Sequence, residues 1–204
     1  LMLFWVIVFN RMIRYFLFIV FLAVSNICFA QFTVTVKWQP IKSGAVNDTI
    51  YYNPEKKLTW PDFKGRPDAA SPAAAITESG FGYKMSMNAI GNKINVEITV
   101  FCYFNKKKSW VKKNMDSDYA LTHEQHHYDI TYINTCLFIQ KLKAAQLNRG
   151  NFNYMVDKIH DECFAALSKM QDDYDGQTSN GRINRMQLVW NKKIDQQLET
   201  LVTD

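Results

Sequence analysis

Neither sign of charge dominates this chain: 24 Lys and Arg stand against 19 Asp and Glu, a net charge of +5 over 204 residues. So mild an excess does not argue for a nucleic-acid partner, which calls for a concentrated basic footprint. Internal repeats and long low-complexity tracts are missing too, so stacked-repeat arrays and compositionally disordered segments are not indicated. Uninterrupted apolar runs are short. Leu1 to Phe9 and Tyr15 to Val24 are separated by Asn10, Arg11 and Arg14, whereas crossing a bilayer takes about 20 apolar residues.

The second run, with Arg14 before it and Cys28-Phe29-Ala30 after it, fits a secretory signal peptide cleaved after Ala30. Met12 is then the expected true start and the residues before it an upstream extension. The competing reading joins residues 1–24 into one membrane anchor, but its polar residues lie at the wrong depth. The expected organisation is therefore a signal segment over 1–30, touching membrane only during export, and one secreted or periplasmic domain over 31–204. Removing Arg11 and Arg14 leaves 22 basic side chains against 19 acids, a net charge of +3. Three cysteines remain, Cys102, Cys136 and Cys163; in an exported protein an odd count suggests one pair and one buried thiol.

What the chain does contain changes character halfway along. Phe32 to Trp38 alternates with period two, the pattern of a half-buried strand. After a turn-rich link at 42–48, a short strand is expected over Thr49 to Tyr52, and Leu58 to Gly65 offers Trp60 and Phe63 as core anchors. Residues 66–75 have loop composition. Two longer strands follow, about Phe81 to Met87 and Lys93 to Phe104, joined by a hairpin containing Gly91. The basic run Lys106 to Lys113 reads as a sheet edge blunted by lysines.

From Asp116 onward the period is helical. A first helix can run to about Leu147 without Pro or Gly, a short turn follows, and a second helix is expected from Phe152 to Tyr174. The stretch Asp175 to Gly181 is expected to break it, and a last helix covers about Asn184 to Leu201, with Met186, Val189 or Trp190, Ile194, Leu198 and Leu201 on its apolar side. The fold class is α+β: a mostly antiparallel sheet, then a long antiparallel helix hairpin and a C-terminal helix.

On the first helix, His123-Glu124-x-x-His127 places two imidazoles one turn apart on one face. Zinc takes nitrogen ligands, and its catalytic sites use three protein ligands and a water. Glu124, about 100° further round the helix, is placed to serve as general base beside that water. His126 reads as a flank. For the third ligand, folding the two helices back about their short turn sets His127 level with Asp172 and His123 beside Asp175. The carboxylates Asp172, Asp173 and Asp175 all lie within a turn of the right height, while His160 and Glu162 fall short by about 15 to 18 Å at 1.5 Å per residue. The same count sets Cys136 level with Cys163, which suggests a disulfide across the hairpin.

Leu58-Thr-Trp-Pro-Asp-Phe-Lys-Gly65, Ser109-Trp-Val111, Thr122-His-Glu-Gln-His-His-Tyr-Asp129, Tyr174-Asp-x-x-Thr178 with Gly181, and Gln187-x-x-Trp-Asn191 together resemble the bacterial domain of unknown function 922 family, described as secreted zinc-dependent proteases. The resemblance covers nearly all of residues 31–204. It implies a zincin-like fold, Zn2+ as cofactor, a peptide or protein substrate, His123 and His127 as ligands, Glu124 as acid and base, and Asp129 and the Tyr174-Asp175 segment as parts of the site. Two positions depart from the family pattern: His126 stands where another residue, often Gly, is usual, and Asn180 where many members carry His. The expected site is thus Glu124 for catalysis and His123, His127 and Asp175 for metal, with Asp172, Asp129 and Tyr174 as further ligands or supporting groups. The expected function is an exported metallopeptidase. A non-catalytic, zinc-stabilised envelope binding module is the alternative, but it has no chemical need of Glu124.

Overall fold

The computed structural model describes residues 31–39 and 48–202; the expected signal segment and nearly all of the 42–48 link lie outside them. The centre of the sheet is β5 (Lys93–Asn105), whose alternating burial confirms the period-two reading. Val96, Ile98, Val100, Cys102 and Phe104 point inward and are essentially solvent-free. Each buried aliphatic or aromatic side chain of this kind contributes about 1.5–3 kcal/mol. Along one edge of β5 runs β4 (Ser79–Ile90), antiparallel and paired from Ser79↔Phe104 to Ile90↔Lys93. Only Gly91 and Asn92 separate the two strands, and Gly91 takes φ +56 while Asn92 stays at negative φ, the pattern of a type II′ hairpin turn.

The other edge of β5 is shared. Strand β1 (Gln31–Trp38) pairs parallel to its first half, from Gln31↔Lys93 to Trp38↔Val100. Strand β2 (Thr49–Tyr51) pairs antiparallel to its end. The sheet is therefore mixed, antiparallel in two of its three pairings: the chain climbs one half of β5's edge and comes back down the other. A second, two-stranded sheet joins β3 (Ala75–Ile76) to β6 (Trp110–Val111). Within the basic run, Lys106, Lys107 and Lys108 face Asp62, Asp48 and Glu78 at 3.0, 2.7 and 3.8 Å.

Three helices follow: α1 (Asp118–Ala144), α2 (Phe152–Thr178) and α3 (Asn184–Val202). Helix α1 starts where the Ser117 hydroxyl accepts the Ala120 N–H, a side-chain N-cap. It is buried on most of its circumference. Ile130, Phe138 and Leu142 join the main core with β4, β5 and α2, while Tyr128 enters a second cluster with Tyr52, Leu58, Phe63, Cys102 and Phe104. That cluster pins the Leu58 to Phe63 segment against the helix. The α1–α2 turn is tied by asparagines: Gly150 N–H donates to Asn148 Oδ1, and Asn148 N–H to Asn151 Oδ1, both at 2.8 Å.

Two expectations are corrected. Helix α2 does not stop at Tyr174; it continues through Gly176 to Thr178 and ends where Ser179, Asn180 and Gly181 adopt left-handed φ of 52, 54 and 75°. Asp175 consequently sits on a helix rather than in a loop. Second, Cys102, Cys136 and Cys163 are all free thiols, so the Cys136–Cys163 link does not form here. Level height does not set direction: Cys136 faces Tyr132 and Cys102, whereas Cys163 lies near Lys141 and Glu162. On α3 the inward residues are Gln187, Trp190 and Ile194; Val189 points to solvent.

Candidate metal centre

His123 and His127 lie one turn apart on α1, and their Nε2 atoms are 3.2 Å from one another. Asp175, reached from α2, places Oδ1 3.2 Å from His123 Nε2 and 3.1 Å from His127 Nε2. This Oδ1 is buried and has no hydrogen bond of good geometry. Three donor atoms from two helices thus form a nearly equilateral triangle, and the group His123, His127 and Asp175 can hold a metal ion.

Each imidazole is turned to present Nε2 by a glutamine behind it. Gln187, buried in α3, sends its Nε2 to the Tyr174 hydroxyl and to Asn191 Oδ1 at 2.6 Å, which leaves its Oε1 2.9 Å from His123 Nδ1. Gln171 donates its Nε2 to the His127 carbonyl at 2.8 Å and offers Oε1 to His127 Nδ1. Because both Gln atoms facing the rings are acceptor oxygens, both Nδ1 atoms must carry the proton, and in the neutral rings the Nε2 lone pairs face inward. In the metal-free chain burial opposes charge on His127, yet Asp175 and Glu124 override it and push its pKa up to about 9. Burial likewise favours the neutral form of Asp175, but His123 and His127 hold its carboxyl well below the usual range.

Glu124 belongs to neither the triangle nor the clamps. It is buried, lines the cleft beside the triad, and its Oε2 has no hydrogen-bond partner. A buried carboxylate oxygen without a partner carries a desolvation cost unless something in the cleft engages it. Its helix is tied to the β3 wall of the cleft by Thr77, whose hydroxyl donates to the Glu124 carbonyl at 3.1 Å.

The remaining predicted residues take other places. Asp129 is fully buried, and its carboxylate accepts from Tyr52 OH at 2.7 Å, Gln125 Nε2 at 2.8 Å and Lys57 Nζ at 3.3 Å. It ties α1 to the chain before Leu58 and is not a ligand. Asp172 lines the cleft but stays exposed, outside the triad. Tyr174 is buried with its ring stacked on His123, 4.7 Å between centroids, and its hydroxyl donates to the His123 carbonyl at 3.3 Å. It therefore supports the ligand from behind. His126 turns toward Asp195 on α3, its Nε2 3.7 Å from that carboxylate, which agrees with its reading as a flank. His160 sits among Phe81, Tyr83 and Phe138, away from the triad.

The loop after α2 closes one side of the site. At Gly181, with φ +75, an added Cβ would lie 3.2 Å from His123 Nδ1, so both backbone conformation and the approach to the imidazole call for glycine. Tyr119 OH donates to the Gly181 carbonyl, and Asn180 lines the cleft without joining the triad. The whole cleft measures about 620 Å³ and is walled by Ala73 to Thr77, one face of α1, the Phe164 to Asp175 face of α2, and the 180–184 segment.

Sequence reasoning did not assign roles to Gln171 and Gln187. A signal for each was present: Gln171 precedes Asp175 by one helical turn, and Gln187 opens the Gln187-x-x-Trp-Asn191 segment. Comparison with family models, with curated proteins and with solved structures returns no match. The site therefore has to be read from its own geometry.

Proposed function

We propose that this chain is an exported zinc-dependent hydrolase, a metallopeptidase of the His-Glu-x-x-His type, and a member of the domain of unknown function 922 family with a zincin-like arrangement of sheet and active-site helix. The observation that carries the reading is the triangle with sides of 3.1, 3.2 and 3.2 Å. Tetrahedral bonds of about 2.0–2.1 Å require ligand atoms about 3.3 Å apart. Two imidazole nitrogens and a carboxylate oxygen form a donor set that would suit zinc. When bound, zinc would supply Lewis-acid activation of a water and of a substrate carbonyl. His123, His127 and Asp175 would hold the ion, and Gln187 and Gln171 keep both imidazoles in the ligating tautomer. Glu124, adjacent but outside the ligand set, takes the proton of the attacking water and returns it to the leaving nitrogen.

A peptide substrate is favoured by the edge of β3. Lys112 N–H donates to the Ala74 carbonyl at 2.8 Å, so Ala75↔Val111 is the alternate, non-bonded pair and the Ala75 N–H and C=O turn away from β6. Ala75 also lines the cleft, which presents backbone groups to an extended chain. The test is Glu124→Gln in the purified domain, with metal content and cleavage of a quenched peptide library measured together. The expected outcome is one zinc per chain retained and turnover reduced by about a hundredfold or more. Undiminished cleavage would remove Glu124 as base. Tight zinc binding by the wild type without cleavage of any peptide would favour a zinc-stabilised binding module.

A further inference from the structure

Phe164, Leu167, Gln171 and Asp175 follow one another at helical spacing along one face of α2, and all four line the cleft. Asp175 lies eleven positions after Phe164, about 16 Å along the helix at 1.5 Å per residue. The chemistry changes along that wall, from carboxylate and imidazole at the triad to an aromatic ring at the far end. Leu167 is buried, but Phe164 is 54% exposed. Its ring is nevertheless supported, stacked at 6.4 Å and 16° on His160, which is itself packed against Phe81, Tyr83 and Phe138 at 5.2 to 5.7 Å. The exposed face is thus an apolar platform backed by aromatic rings, and its hydration is relieved when another apolar group covers it. Beyond the triad in the other direction the cleft is lined by Asn180, Arg182 and Asn184, which are polar, and by Tyr119, whose ring is partly exposed and whose hydroxyl is held by the Gly181 carbonyl.

We infer that Phe164 and Leu167 form a specificity subsite for a large apolar side chain of an extended peptide, about three to five residues from the bond cut, given a rise of about 3.3 Å per residue. The inference rests on the peptidase reading for its substrate class.

Two assays separate the subsite from the hydrolase reading. In the first, the zinc-loaded mature chain cleaves a quenched decapeptide library in which one position at a time is varied. One position should favour Leu, Phe or Met over Gly by about tenfold or more in kcat/KM. Phe164→Ala should collapse that ratio to within about twofold, and Phe164→Trp should restore it. In the second, an immobilised array of the same decapeptides is probed with Glu124→Gln protein and with Glu124→Gln carrying Phe164→Ala. Apolar-selective binding by the first and not the second supports the subsite even if the wild type cleaves nothing, in which case the hydrolase reading fails alone. A profile with no apolar preference in either assay, or a preference that survives Phe164→Ala, overturns the subsite. Phe164 is more than half exposed, so its replacement leaves the core intact.

Discussion

In the metal-free chain His127 is pushed up to about 9, because the Asp175 and Glu124 carboxylates outweigh the effect of burial, while an ordinary histidine titrates near 6.5. At neutral pH an incoming ion must therefore displace a proton from Nε2, the atom that faces Asp175 Oδ1 at 3.1 Å. Metal affinity should rise about tenfold per pH unit from pH 7 and level off near pH 9, so that binding at pH 7 is about a hundredfold, or about 3 kcal/mol, weaker than the plateau. The sign for folding is the opposite. The folded pKa is raised above the unfolded one, so the protonated His127–Asp175 pair stabilises the metal-free protein fully below about pH 6.5, and that contribution is lost as pH rises through about 9. Zinc competition against a chromophoric chelator, run from pH 6.5 to 9.5, gives the first slope; thermal unfolding of metal-free and loaded protein over the same range gives the second. The melting-temperature gap between the two forms should widen with pH. A flat affinity profile between pH 7 and 9, or a break near 6.5 in the wild type, would refute the argument that Asp175 and Glu124 hold a proton on this ring.

Gln187→Leu removes the acceptor from His123 Nδ1 and should weaken zinc binding by about 10- to 100-fold, with Gln187→Glu restoring most of it; equal loss in both variants, measured by competition titration, would point to disrupted α3 packing instead. Asp175→Ala should lose tight metal binding while Asp172→Ala keeps it, since only Asp175 reaches the two imidazoles; metal content after dialysis reads this directly, and the reverse pattern would move the third ligand one turn along α2.

How far the residues alone reach depends on the range of the interaction. The pairing of His123 with His127 is local: a four-residue spacing on a helix without Pro or Gly puts them on one face whatever surrounds them. Asp175 was within reach because a short turn between two long helices relates their heights by counting, and height was enough to leave only Asp172, Asp173 and Asp175 standing. Choosing among those three from helix geometry requires the angle of each side chain about the helix axis, and the expectation that α2 ends at Tyr174 hid that angle. The helix continues because Gly176 costs only about 1 kcal/mol within a helix, and the break waits for three consecutive left-handed residues.

The same limit explains Cys136 and Cys163, level in height yet facing different neighbours. Hydrophobic periodicity specified the inward face of β5 and the last helix's Ile194, because burying apolar surface is a property each element carries with it, but it left Val189 and Trp190 as alternatives that only the packing of α3 decided. It could not specify that β1 runs parallel to β5, since a strand's own pattern reads the same in either direction. Nor could it place Gln187 behind His123 and Gln171 behind His127, or set Phe164 at the far end of a cleft that leads to Glu124. Those placements require side chains from two or three helices to meet at one point. Only the tertiary packing of α1 against α2 and α3 fixes the rotations that bring them together.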